Sequence, residues 1–520
     1  MPSVDGASRT VVYQNRWLYS PHNPAQAVLR RVEALEMGPH TLFLCFSPVL
    51  GYGLAELRAK LVPPSALLVV EADPALHGFS LSAAGDLLSG AVYLGPGDIA
   101  AWIPARLGDM GTFRRCVRLD MSAGTQFHGE LYHHIHRAVD KEISRFWRNR
   151  LTLIRLGRLF SRNLFKNLPA LGHSPPLPVG KITAPVVVLG AGPSADDLLR
   201  GGHSSRLGGC FVIACDAALP ALAGALPNVA VQMESQAAID DAWFGTGSAH
   251  AVLDMTARSA GARQRAGRIG WFFTEYTDAR FIRRMRDAHI LPLILPPLGS
   301  VGLSAVQLAL MLRANDQVPV SVIGLDFSFV PGKTHCAGSM QHRRMLLQTN
   351  RLHPPGAVDS AFRGGVSRAR GKDGRTVHTD PALSGYRDSF QAFFAGTPNL
   401  YDAGRCGLPL GIPQARHYPP PTRHYPPPEI RGMADEGLSE RVTAFLRAER
   451  EALAELRGLL AGGGREERIY EILADHEYLY LHFPDGWELT PEKALDQSFL
   501  KRVRAEVQGF LKIMPGGGPS

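Results

Sequence analysis

The stretch Ala184–Asp197, APVVVLGAGPSADD, decides the fold. Val186 to Leu189 is an apolar run that reads as a fully buried strand. Gly190, Ala191, Gly192, Pro193 and Ser194 then form a glycine turn, and a helical pattern follows. Strand, glycine turn and helix start is the layout that holds a phosphate in an α/β sheet, with glycines letting the backbone approach the ligand closely. Ser194 is placed to cap the helix, and its hydroxyl can reach a phosphate oxygen. Pro193 and Ser194 replace the third glycine of the dinucleotide fingerprint, so a plain tight turn is the alternative. A second loop, Gly299-Ser300-Val301-Gly302, precedes a helix from Ser304 to Leu312 and adds weight to the phosphate reading.

Around these loops, residues 182–350 alternate strands with helices. Strands at 211–214, 229–233, 251–253, 270–273, 291–295 and 319–323 predict a doubly wound parallel sheet. Ligands of such sheets sit beyond the carboxyl ends of the strands, and Asp216, Glu234, Asp254 and Asp326 all fall at those ends. A carboxylate there can bind ribose hydroxyls, hold Mg²⁺ or act as a base; for Asp254 a turn or capping role is the better reading. Beyond Asp326 the chain runs FSFVPGKTHCAGS. Lys333, Thr334 and His335 can converge there on an anion, and a histidine can do acid or base work near neutral pH. Residues 352–415 read as a basic excursion with Arg363, Arg368, Arg370, Lys372 and Arg375. It contains a hairpin turn at Lys372-Asp373-Gly374-Arg375 and is either a lid over a site or a surface loop.

The N-terminal region repeats the α/β pattern with strands at 41–46, 66–70, 92–94 and 116–119. Glu71 and Asp73 end the second of these, where a Rossmann-type unit holds a ribose. Pro48 and Leu50 spoil its glycine loop, so a structural unit is favoured over a second nucleotide site. Residues 126–170 read as a basic, histidine-rich, solvated helix joining two domains, and 172–181 as a proline-rich linker. A duplicated segment, RHYPPP at 416–421 and 423–428, reads as a semi-rigid spacer. Amphipathic helices follow at 439–460 and 465–481, and another after Thr490, which caps it. The expected division is therefore 1–125 Rossmann-like, 126–181 connector and linker, 182–415 central α/β domain, 416–429 spacer and 430–514 helical domain.

Composition bounds the function class. The 520 residues are 45% hydrophobic and 20% charged, which fits a soluble globular protein. A formal net charge of +9 favours anionic ligands, although the arginines are spread along the chain. The six cysteines form no CxxC pair and read as reduced thiols. The first residues carry no signal pattern and no apolar run reaches the ~20 residues of a membrane span. A cytoplasmic protein without a membrane span follows, with no nucleic-acid partner.

GAGPS (190–194), Asp216, LGSVGLSA (298–305), IGLDFSF (323–329) and THCAGS (334–339) together resemble the motility accessory factor (Maf) family, as do Gly51-Tyr52-Gly53 and the helix with Asn163, Asn167 and Leu168. The central domain of that family is similar to 6-hydroxymethylpterin diphosphokinases and to sialyltransferases of glycosyltransferase family 42. Glu234 departs from the aspartate expected at its position. The resemblance implies a glycosyltransferase that moves a nonulosonic acid, pseudaminic or legionaminic, from a CMP donor to Ser or Thr of flagellin. It implies that Gly190, Gly192, Pro193 and Ser194 hold the CMP phosphate, with Asp216 or Glu234 holding the ribose or a metal. Gly299, Ser300 and Val301 would line the opposite wall, Lys333 and Thr334 would meet the anion, and Asp326 or His335 would take the acceptor's proton. The pattern requires no cofactor and no fixed metal, and leaves Mg²⁺ open. Two other readings stand: an ATP- and Mg²⁺-dependent pyrophosphokinase of a pterin-like alcohol, using Asp216, Glu234 and Asp326, and a non-catalytic flagellin-binding protein.

Overall fold

A computed structural model describes the chain apart from residues 2–7, 90, 99–111, 200–206, 208, 223–226, 247–248, 353–358, 416–436, 463–464, 487–488 and 515–520. The duplicated RHYPPP segment lies outside the described residues. Two compact units divide the chain, Met1–Leu153 and Ile154–Ser520.

The first unit opens with a short antiparallel ribbon, β1 (Val12–Tyr13) and β2 (Arg16–Trp17). Its sheet is parallel, with β3 (Thr41–Phe46), β4 (Ala66–Val70), β5 (Val92–Leu94) and β6 (Arg115–Asp120) in the order β5-β4-β3-β6. The chain winds from β3 out to β5 and returns to the far side of β3, so the strand order reverses between β3 and β6. Every residue of β3 is buried, which is why TLFLCF is apolar throughout rather than alternating. The helix Gly129–Thr152 corrects the expectation of a solvated connector. Its Tyr132, Ile135, Val139 and Ile143 recur at helical spacing and pack with Leu42, Leu44 and Phe46 of the sheet.

The second unit holds an eight-stranded, wholly parallel sheet in the order β12-β11-β10-β9-β8-β7-β13-β16. These strands are β7 (Val186–Leu189), β8 (Phe211–Cys215), β9 (Val229–Gln232), β10 (His250–Asp254), β11 (Ile269–Thr274), β12 (Leu293–Leu295), β13 (Val320–Ile323) and β16 (Leu400–Asp402). Between β13 and β16 a hairpin, β14 (Ser367–Arg370) and β15 (Thr376–Thr379), closes through the expected turn. The chain enters the sheet at β7, builds outward to β12, then crosses back to β13, so the switch point lies between β7 and β13. The helix Val301–Leu312 makes that crossing and packs Leu303, Val306 and Leu308 into one core with Val186, Val188 and Ile213. The fold is the expected α/β one: a Rossmann-like N-terminal unit, a doubly wound parallel sheet and a helical C-terminal region.

The C-terminal helices Leu438–Gly462, Glu466–Asp475 and Gln497–Ile513 belong to the second unit. Tyr478 is the pivot: its ring packs tilted or edge-on against Phe165, Phe281 and Phe510, with centroids 4.7–5.3 Å apart. Its hydroxyl donates to Glu449 Oε2 at 2.8 Å, and Arg284 pairs with Glu449 Oε1 at 2.6 Å. The last helix starts later than expected. Thr490 accepts from Lys493 N at 3.2 Å over a single 3₁₀ turn, and Asp496 caps the helix proper.

Candidate functional site

The loop after β7 meets the loop after β13 backbone to backbone. Gly190 N donates to Ile323 O and Gly192 N to Gly324 O, both at 2.8 Å. Ser194 N donates to Asp326 Oδ2 at 2.7 Å, and Ser194 Oγ accepts from Gly324 N at 3.0 Å. The glycines are required by this approach. A Cβ on Gly192 would stand 2.6 Å from Asp326 Oδ2, and one on Gly190 would stand 2.6 Å from Leu325 Cδ2. Thus the amides of Gly190, Gly192 and Ser194, expected to face a phosphate, are bonded to β13 and its loop instead. Ser194 caps no helix, and the turn Pro193–Ala195 leads only into the single helical turn Asp196–Leu199. The second glycine loop has the same logic. A Cβ on Gly302 would meet Leu325 Cδ2 at 2.6 Å, so Gly190 and Gly302 bracket one leucine side chain. Ser300 caps the crossing helix through Gly302 N at 3.3 Å, and Gly299, at φ +75°, faces the ring of Tyr386.

Asp326 lies 3% exposed at the switch point. Among the described residues its Oδ1 has no hydrogen-bond partner. Burial pushes its carboxyl up to about 6, against the opposing pull of the Ser194 hydrogen bonds and the Lys372 charge. Lys372 comes from the β14–β15 turn, with its side chain only 9% exposed, and pairs with Asp402 Oδ2 at 2.7 Å. Asp402 also accepts from Gly404 N and from Gln414 Nε2, each at 2.9 Å. The basic excursion is therefore anchored at its tip. No sequence signal pairs Lys372 with Asp402, which lies 30 positions away on another element.

The loop after β13 continues into a cleft of about 240 Å³. Lys333, Thr334 and His335 line it with Asp196, Gln341 and His342. Asp196 organises the wall: Oδ2 pairs with Lys333 Nζ and Oδ1 accepts from Ala337 N, both at 2.7 Å. The loop is tied to the β7 turn by Cys336 N to Ala191 O at 2.8 Å. Burial lowers the proton affinity of His335 below the usual imidazole range, so its ring is neutral at pH 7. Its Nδ1 lies 3.0 Å from Thr334 Oγ1. Three expected residues thus share one cleft, and Asp196, part of the opening motif, was legible there as a residue but not as a partner of Lys333. Gly299, Ser300 and Val301 do not line it.

The remaining strand-end carboxylates are spent locally. Asp216 accepts from Ala217 N at 2.7 Å and from the backbones of Met233 and Glu234, and burial raises its carboxyl to about 7. Glu234 accepts from Gln236 N at 2.9 Å. Asp254 takes the turn role expected of it, accepting from Thr256 N at 2.7 Å and Thr274 N at 2.8 Å. Among the described residues no three His, Cys, Asp or Glu side chains converge as a metal site, and Asp216, Glu234 and Asp326 are not gathered as one. Asn163 and Asn167, one turn apart on the helix Arg158–Leu171, staple the loops after β9 and β10. Asn163 Nδ2 donates to Ser235 O and Thr256 O, and Asn167 Nδ2 to Met255 O and Ala257 O, at 2.9–3.1 Å. Among the described residues no helix is long and apolar enough to cross a membrane.

No family model matches the chain. An uncharacterized protein of Treponema pallidum (strain Nichols) is 33% identical over 542 residues, covering 97% of this chain and 93% of that protein. The chain belongs to the family of that protein. Among solved structures, the MAf glycosyltransferase from Magnetospirillum magneticum AMB-1 superposes with a TM-score of 0.55 at 15% identity, over 99% of this chain and 90% of that one. The Maf resemblance drawn from the motifs is borne out at the level of the fold, over the whole chain.

Proposed function

We propose that the chain is a glycosyltransferase that moves a nonulosonic acid from its CMP-activated form to Ser or Thr hydroxyls of flagellin. One observation supports this above the others: Lys333, Thr334 and His335 stand in one cleft at the carboxyl end of a doubly wound sheet, in a chain with the fold of a Maf glycosyltransferase. Lys333, held by Asp196, supplies the cation for the donor's phosphate or sugar carboxylate. Thr334 supplies a hydroxyl donor beside it. His335, neutral at pH 7, accepts the acceptor's proton as the hydroxyl oxygen attacks the anomeric carbon and CMP leaves with the bonding electrons. Asp326 and Ser194 act beneath the cleft, fixing the turn that carries Asp196, because both are sealed from solvent. The amides of Gly190 and Gly192 serve the fold in this reading.

The test is calorimetric titration of the full chain with CMP, ATP and GTP, with and without Mg²⁺. CMP binding that Lys333→Ala weakens by about tenfold or more is the expected result, given the ~1.5–3 kcal/mol of one charge-assisted contact. Preferential binding of Mg-ATP would transfer the reading to pyrophosphoryl transfer. Transfer from CMP-pseudaminic or CMP-legionaminic acid to purified flagellin then decides sugar and acceptor.

A further inference from the structure

The cleft rests on a charge cluster that the reaction does not touch. Ser194 Oγ, Lys372 Nζ and Asp402 Oδ1 surround one point: a Cβ on Gly404 would stand 2.9, 3.2 and 3.3 Å from them respectively. Asp326 is packed against the same place, with Gly407 so close that a Cβ there would meet Asp326 Cα at 2.7 Å. The strand-end loops of β7, β13 and β16 and the tip of the β14–β15 hairpin therefore meet at one buried site. From it a continuous series of contacts leads to the cleft. Asp326 holds Ser194 N, and two residues on Asp196 holds Lys333 Nζ and Ala337 N.

We propose that Lys372 is a positioning residue for this cleft, its ammonium bonded to Asp402 and the pair packed beside the Ser194–Asp326 contact that fixes the Pro193–Leu199 turn. This deepens the glycosyltransferase reading and rests on it for the word positioning. The cluster contains two carboxyl groups and one ammonium. The groups facing Asp326 are Ser194 from the β7 loop, Lys372 from the hairpin and Asp402 from β16, with the Cys406 and Cys336 thiols nearby. Removing one member of a buried ion pair strands the other's charge, which is costly at any pH where that charge persists. Burial raises both Asp326 and Asp402, so acid neutralises them and removes the need for the ammonium. The cost of losing Lys372 is therefore greatest where both carboxyls are charged and shrinks as acid protonates them.

The experiment compares wild type, Lys372→Met and Lys372→Arg in the full chain by two readouts. Thermal melting of Lys372→Met is expected about 5 °C below wild type at pH 8 and within about 2 °C at pH 5.5, with Lys372→Arg recovering at least half of the loss. At pH 7.5, diethylpyrocarbonate modification of His335, followed by peptide mass spectrometry, is expected to change about threefold or more in Lys372→Met, with His77 of the first unit unchanged as the reference. A melting deficit equal at both pH values overturns the charge role. Unaltered His335 modification overturns positioning of the cleft. Neither readout uses a nucleotide, so failure of CMP to bind sinks the donor reading without deciding this one.

Discussion

The two parallel sheets reach their switch points in opposite ways. In the first unit, the crevice between β3 and β6 is filled by the protein's own hydroxyls and rings. Tyr19 donates to Pro48 O at 2.5 Å and accepts from Leu50 N at 3.2 Å, and Ser122 Oγ donates to Ser47 Oγ at 3.1 Å. The strand-end Glu71 is fully buried and accepts from Tyr132 OH at 2.9 Å, while Asp73 caps the helix Pro74–Leu88. In the second unit the corresponding loops are bound to each other through glycines, and the cleft opens on the outer side of the β13 loop. Strand, glycine and helix start thus report where two backbones meet. Whether a ligand is received there depends on side chains that arrive from elsewhere.

The largest effect expected is at the contact itself. Gly190→Ala sets a methyl group against the Gly324 backbone, which cannot swing aside, and against the buried Leu325 side chain, and should cost about 3 kcal/mol or more in chemical denaturation of the second unit. A tolerated alanine would mean that the loop stands off from β13 and can receive a phosphate after all. Next is the chemistry. His335→Gln should keep the melting temperature and lower transfer about 100-fold, the low end for loss of a general base; unchanged transfer would move the base elsewhere. In the first unit, Asp73→Ala should cost about 1–2 kcal/mol as a lost helix cap while leaving CMP affinity unaltered. Loss of CMP binding in that variant would show that the N-terminal crevice is the nucleotide site.

Asp73 also carries a pH signature. Burial alone would raise its carboxyl, but hydrogen bonds from Leu76 N, His128 and Tyr13 outweigh that and hold it below the usual range. Its stabilising contribution is therefore complete above the unfolded aspartate pKa and fades as pH falls through the lower folded value. The gap between wild type and Asp73→Ala should narrow in acid. Smallest of all, Gly458→Ala meets open space inside the helix Leu438–Gly462 and should add about 0.5–1 kcal/mol, a control for the glycine at 190.

Much of the frame was legible because short apolar runs between breakers have one reading in an α/β chain. VVVL, FVIAC and TLFLCF form the strands expected of them. The strand-end acids were placed correctly in the fold, and Lys333, Thr334 and His335, expected to converge, do share one cleft. What the sequence could not disclose is pairing at a distance. Lys372 reads as one more basic residue in an arginine-rich excursion until β16 brings Asp402 to it. Asp326 reads as a strand-end candidate base until Ser194 and Gly407 close over it. The helix Gly129–Thr152 was obscured by its histidines and arginines, all of which but the buried Arg150 lie off its apolar stripe.

Leu325 has a consequence for how this chain can vary through descent. Its Cδ2 occupies the space a side chain would need at position 302, and no other atom there lies closer than 3.6 Å. The two positions are therefore coupled. A larger residue at 302 requires the leucine at 325 to shift aside or to give way to a smaller side chain, so changes at the two positions are expected to travel together.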